Sequence, residues 1–109
     1  MKTEHDLPSG DVFHAIADPT RRSLLAMVAD GERPVNALAQ SFPMTRPAIS
    51  QHLRVLREAG LVTERKVGRE RRYRLRAGPL REVRDWIRQY ESFWQGRFDA
   101  LGAYLEDDK

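Results

Sequence analysis

Two proline-marked helix starts, each closed downstream by a glycine, constrain this chain more than any other feature. Asp18-Pro19 opens a helix that runs through Leu24, Leu25 and Val28 and stops near Gly31, and Thr45-Arg46-Pro47 opens another that stops at Gly60. Proline in the first turn lacks only an N–H that would have no partner there, and Asp or Thr just before it supplies an acceptor for the free amides. Around these fixed points the rest follows. Val12 to Ala17 is a short apolar-periodic stretch, a first helix. Arg33-Pro34 makes a connection, Val35 to Ser41 is a short helix with Leu38 and Ala39 inward, and Phe42-Pro43-Met44 forms a turn. From Leu61 to Leu75 the period changes to two, with Val62, Val67, Tyr73 and Leu75 among charges and Gly68-Arg69 at the tip, which predicts a hairpin. Pro79 then opens a last helix expected to reach Leu105. The predicted order is α-α-α-α-β-β-α, mainly α with a small β-hairpin, in a single domain spanning residues 1–109.

Charge is unevenly placed. Between Arg46 and Arg76 there are ten Lys/Arg against three Asp/Glu, and the remainder carries nine against thirteen, so one region concentrates positive charge and the rest of the chain is mildly acidic. A merely solubilising surface would spread this charge, and the concentration points to nucleic acid as partner. With 40% hydrophobic and 32% charged residues the chain is too apolar to be disordered. No run approaches the roughly 18 apolar residues of a membrane span, so no membrane partner is expected. Residues 1–10 lack the apolar core of a secretory signal and there is no cysteine, which together fit the cytoplasm.

At about 100° per residue, Ile49, Leu53 and Leu56 fall on one narrow buried stripe of the helix that follows Thr45. Pro47, Gln51 and Arg54 lie opposite, Ser50 on the shoulder, and small Ala48 lets the backbone come close. Thr45 and Arg46 sit at the leading end. This is the composition needed by a helix lying in the major groove, with donors and acceptors aimed at base edges. A generic amphipathic helix shares the polar outer face, but the preceding short helix and turn supply the brace of a helix-turn-helix. His52 lies at the edge of the stripe, where bonding to a neighbour is expected in preference to a DNA contact.

Seven of the twelve residues from Arg65 to Arg76 are basic. Alternation sends Arg65, Lys66, Arg71 and Arg72 to both faces of the hairpin, so they do not anchor one core. Strand arginines are expected on phosphates, and Arg69 beside Gly68 at the tip is placed to enter a minor groove. A protected sheet edge needs only one or two charges. Hairpin and helix-turn-helix together make a winged helix-turn-helix, with residues 12–78 as the DNA-binding core.

In the last segment Leu80, Val83, Trp86, Ile87, Tyr90, Phe93, Trp94, Phe98, Leu101, Tyr104 and Leu105 recur at helical spacing. Such a helix would span about 40 Å at 1.5 Å per residue, longer than a domain of this size can cover. Residues 79–105 are therefore read as a dimerisation helix. The expected interface comprises Val12, Phe13 and Ile16 with Trp86, Tyr90, Phe93, Trp94, Phe98, Leu101 and Leu105. A two-fold dimer sets two reading helices about one turn of DNA apart on a near-palindromic site.

The stretch from Phe13 to Arg22, the stretch Arg46-Pro47-Ala48-Ile49-Ser50-Gln51-His52-Leu53-Arg54-Val55-Leu56-Arg57-Glu58-Ala59-Gly60-Leu61-Val62, and then Gly68-Arg69 and Tyr73 resemble the arsenic-repressor-like (ArsR) family of bacterial winged-helix regulators. The resemblance covers nearly the whole chain. It implies a homodimeric repressor that binds double-stranded DNA, pairs through its first and last helices, and often controls its own promoter. It also marks a departure. Metal-sensing members carry Cys-x-Cys on the first helix of the helix-turn-helix, where this chain has Val35-Asn36-Ala37-Leu38, and others use histidines on the last helix, where residues 80–105 have none. His5, His14 and His52 form no ligand-spaced pair, so neither a metal nor another cofactor is expected. An unidentified small-molecule effector stays open as a partner. A sequence-specific regulator is the leading function; a non-specific nucleic-acid-binding module and a protein-interaction module are the alternatives. No enzyme is expected, because no nucleophile with base and orienter, and no phosphate-cradling glycine loop, is present.

Overall fold

In the computed structural model, which describes residues 11–94, three of the expected helix starts are closed by a side-chain cap. Helix α1 (Val12–Ile16) begins where Asp11 accepts from the His14 amide at 3.1 Å. Helix α2 (Pro19–Ala29) begins where Asp18 accepts from Arg21 N at 3.0 Å. After α3 (Val35–Gln40), helix α4 (Arg46–Glu58) starts with the Thr45 hydroxyl accepting from Ala48 N at 3.2 Å. Gly60 ends α4 in the left-handed region at φ +78°, with its amide on Arg57 O at 2.9 Å and Leu61 N on Leu56 O at 3.0 Å. This is a Schellman close, and it turns the chain directly into the hairpin.

Strands β2 (Val62–Val67) and β3 (Glu70–Leu75) pair antiparallel with Val62 opposite Leu75 and Val67 opposite Glu70. Gly68 takes φ +61° at the first central position of the two-residue turn, which a type II′ hairpin reserves for glycine. One element differs from expectation. Arg33-Pro34 is a two-residue strand, β1, paired with β3 through Arg33 opposite Tyr73, so the hairpin is part of a three-stranded sheet in the order β1-β3-β2. Proline has no N–H to give a ladder and is tolerated because this strand lies at the edge. The order is thus α-α-β-α-α-β-β-α.

The last helix is also shorter than the sequence pattern suggests. Helix α5 covers Leu80–Arg88, and residues 89–90 form a turn before a further helical stretch at 91–94. Gln89 and Tyr90 bond back three residues, to Trp86 O and Ile87 O, where a continuing α-helix would bond back four. Most helical stability in proteins comes from packing. Beyond Arg88 the side chains at 89–94 are all exposed, so nothing among the described residues covers them to hold the ladder in register. Of the expected interface residues, Phe98, Leu101 and Leu105 lie outside the described residues.

The core joins all elements up to the sheet. Leu24, Leu38, Ile49, Leu53, Leu56 and Leu61 have 0% exposure, with Val12, Ala15, Val28, Val35, Val62 and Tyr73 buried around them. Val12, expected at a dimer surface, therefore belongs to the protomer's own core. Phe13 and Ile16 pack partly against it, and Phe13 meets Trp86 edge-on at 5.7 Å. Among the described residues no helix is long and apolar enough to cross a membrane.

Candidate nucleic-acid interface

The α4 stripe of Ile49, Leu53 and Leu56 is fully buried, which turns the opposite side of the helix outward by geometry alone. Thr45, Arg46, Pro47, Ser50, Gln51 and Arg54 are exposed, and Ala48 is half-buried. Arg46 is the first residue of the helix. Arg54 pairs along the same face with Glu58 at 3.1 Å. His52 does what its edge position suggests: its Nδ1 faces Arg21 Nη1 at 3.2 Å and Asp18 Oδ2 at 4.0 Å. Arg21 also donates to Ala15 O at 2.7 Å and His14 O at 3.0 Å, so one guanidinium ties the end of α1 to the middle of α4. Asp18 is held ionised below its usual range by the Arg21 amide first, and by the fields of His52 and Arg21.

The register of β2 against β3 sorts the wing charges onto two faces. Glu64 opposite Tyr73 and Lys66 opposite Arg71 share the side that meets α4, while Arg65 opposite Arg72 points to the other. On that other side Glu32 binds Arg65 in a two-point contact at 2.8 and 3.0 Å and approaches Arg72 at 3.6 Å. Arg72 also meets Glu70 at 3.3 Å. The hydrogen bond from Arg65, and then its charge, hold the Glu32 carboxyl below its normal range. Arg65 and Arg72 thus fasten the wing to the loop before β1. Lys66 and Arg69 meet no carboxylate among the described residues.

Between the outward side of α4 and the wing lies an open groove of about 400 Å³, lined by Pro47, Ser50, Gln51, Arg54, Arg57, Glu64, Arg71 and Tyr73. Five of these were expected at a DNA-binding surface. Arg57, Glu64 and Tyr73 were not. Glu64 accepts from Arg57 Nη1 at 2.8 Å, Arg71 Nη1 at 2.9 Å and the Tyr73 hydroxyl at 2.9 Å. Burial works to raise its pKa, but the bonds from Arg71 and Tyr73 and the field of Arg57 win and hold it below the ordinary value. Burial first, then the Glu64 bond, push the Tyr73 phenol up to about 12. Alternation carried the signal for this cluster, since the two-residue period that buries Val62 and Tyr73 also places Glu64 on their face.

A braced helix with a polar outer side, flanked by a basic hairpin, defines a winged helix-turn-helix transcriptional regulator that binds DNA. The profile described as "Bacterial regulatory protein, arsR family" matches residues 18–64, from the cap of α2 into β2. The chain is 40% identical to HTH-type transcriptional regulator Rv2034 of Mycobacterium tuberculosis over 88% of this chain and 87% of that protein. It is 32% identical to transcriptional repressor SdpR of Bacillus subtilis over 71% of this chain and 86% of that one. A solved ArsR family transcriptional regulator superposes with a TM-score of 0.68 at 32% identity, covering 76% of this chain and 91% of that one. The chain belongs to the ArsR family.

Proposed function

We propose that the protein is a homodimeric repressor that reads a near-palindromic operator, its own promoter included, with α4 in the major groove and the wing on the flanking backbone. The observation that carries this reading is the groove in which Ser50, Gln51 and Arg54 of α4 stand beside Arg71 of the wing, over a helix whose other side is wholly buried. Gln51 and Arg46 read base edges, with Thr45, Pro47, Ala48, Ser50 and Arg54 completing the contact surface. Lys66 and Arg71 meet phosphates on the α4 side, Arg65 and Arg72 meet them from the outer side of the wing, and Arg69 enters the minor groove. Residues 12–78 form the DNA-binding unit.

Two copies join through α1 and the segment from residue 79 onward. Trp86 at 49% exposure, Tyr90 at 40%, Phe93 at 67% and Trp94 at 46% supply the apolar surface, which continues through Phe13. A row of large aromatics left open to water on a small domain marks an interaction site. The protein acts in the cytoplasm, where its DNA lies, and a small molecule entering the dimer interface is the form an effector would take.

The test is a titration against the region upstream of its own gene and against a scrambled duplex, at low and physiological salt. The expected preference for the upstream region is about 10³-fold or more. Equal affinity for both at physiological salt overturns the reading. Gln51→Ala or Arg46→Ala should cost about 1–3 kcal/mol and relax the preference at one position of each half-site. Arg72→Ala should weaken all duplexes alike and lower the salt slope by about 1.

A further inference from the structure

Glu64 is the one carboxylate among the residues lining the groove between α4 and the wing. A surface made for a polyanion is expected to exclude fixed anions, because each one repels the phosphates it faces. Glu64 is nevertheless built in. Its side chain is 16% exposed, and it accepts from Arg57 on α4 at 2.8 Å and from Arg71 on β3 at 2.9 Å. The Tyr73 hydroxyl donates a third bond at 2.9 Å. The two guanidiniums are fixed in direction by this carboxylate, and one of their two charges is cancelled by it.

We infer that Glu64 is a specificity-determining residue: it latches the wing to α4 while weakening sequence-blind attraction to phosphates more than it weakens binding to the cognate site. The inference rests on the groove being the DNA-binding face. Affinity for arbitrary duplex comes almost wholly from the phosphates a protein neutralises, so an anion in the groove subtracts directly from it. Affinity for the cognate site adds base-edge contacts, which need α4 and the wing at a fixed spacing. The Glu64 bonds to Arg57 and Arg71 supply that spacing. Glu32 makes a useful contrast, because it binds Arg65 and Arg72 on the outer face and does not line the groove.

Glu64→Gln keeps the shape and one acceptor oxygen while removing the charge. The probes are a duplex selected by the wild-type protein from a random-sequence pool and a scrambled duplex of the same composition, titrated between about 50 and 200 mM salt. Scrambled-duplex affinity should rise about fivefold per protomer, the size of one charge–charge interaction at about 4 Å in water. Its salt slope should steepen by about 0.9 per protomer. Selected-duplex affinity should change less, so the ratio between the two falls. Glu32→Gln, the same charge change on the outer face, frees Arg65 and Arg72 for the phosphates of any duplex, so both affinities should rise together and the ratio stay nearly as it is. Equal rises or equal falls on both duplexes, with an unchanged melting temperature, overturn the inference. If Glu64→Gln melts early, Glu64→Asp keeps the charge but draws it back from the guanidiniums. Scrambled affinity should then stay at the wild-type level while the ratio drops, and an unchanged ratio overturns the inference. If Gln51→Ala leaves selected-duplex binding untouched, the groove is not the DNA face, and the inference fails with that assignment and not by itself.

Discussion

Ile49, Leu53 and Leu56 of α4 have 0% exposure, whereas on and just past α5 Trp86 keeps 49%, Tyr90 40% and Phe93 67%. Both segments are amphipathic by sequence, and α5 together with its extension carries the larger side chains. The difference lies in what surrounds them. Helix α4 sits among α1, α2, α3 and β2, and even its polar flank is held, through Arg57 to Glu64. Among the described residues helix α5 leans chiefly on α1, with Phe13 and Trp86 edge to face and then Tyr90 and Phe93 stepping away into solvent. The same pattern that marks a finished helix in one place marks an unfinished one in the other. A second copy of the chain completes it under the proposed function.

The sharpest way to break this contrast is to remove equivalent apolar bulk from each side. Leu53→Ala leaves a cavity in a core where its neighbours are themselves at 0% exposure, and should cost about 2–5 kcal/mol in equilibrium denaturation. The loss should be the same at any protein concentration within the monomeric range. A cost below about 1 kcal/mol would mean that α4 is not anchored as described.

The paired change Trp86→Ala with Phe93→Ala is the counterpart and the next largest effect. Within one protomer Trp86 is about half exposed and Phe93 about two-thirds, so the stability of the isolated monomer should move by about 1 kcal/mol or less, most of it from the lost Phe13–Trp86 contact. Association is another matter, because buried aromatics dominate interfaces and truncating them costs about 2 kcal/mol or more. Sedimentation equilibrium should show the dimer dissociating at protein concentrations about thirtyfold higher than in the wild type. A monomer that unfolds, with association unchanged, would place these rings in the protomer's own core and remove the contrast.

These two helices also show what the sequence disclosed and what it withheld. Caps are local chemistry, so Asp18-Pro19, Thr45 and Gly60 announced the limits of α2 and α4 within their own few residues. The buried stripe of α4 followed from helical period alone. The length of α5 did not follow, since the period from Leu80 onward says that a helix has an apolar side and not whether anything covers it. Strand β1 was invisible because two residues have no period, and Arg33-Pro34 becomes a strand only when β3 arrives beside it. The candidate site divided in the same way. Outward Ser50, Gln51 and Arg54 were legible from the helix, and the basic character of the wing from its composition. Which carboxylate each wing arginine meets was not, because Glu32 captures Arg65 across 33 positions of chain and Glu64 gathers Arg57, Arg71 and Tyr73 by tertiary contact.

The smallest expected effect tests whether the polar flank of α4 is completed within the protomer as its apolar stripe is. Tyr73 is neutral while it donates to Glu64, and its pKa is raised from 10.0 to about 12 by burial first and by that bond second. A raised folded value means that the neutral phenol is favoured in the native state. Its contribution is therefore complete below about pH 10 and is lost as pH rises through about 12. Ultraviolet titration of the folded protein should show one of its three tyrosines ionising late, and Tyr73→Phe should abolish that late phase and no other. Near neutral pH the same substitution should cost only about 0.5–1.5 kcal/mol, because Glu64 retains both guanidiniums as partners. If all tyrosines titrate together, the Tyr73 hydroxyl is open to water, and the link that closes the wing against α4 is not made.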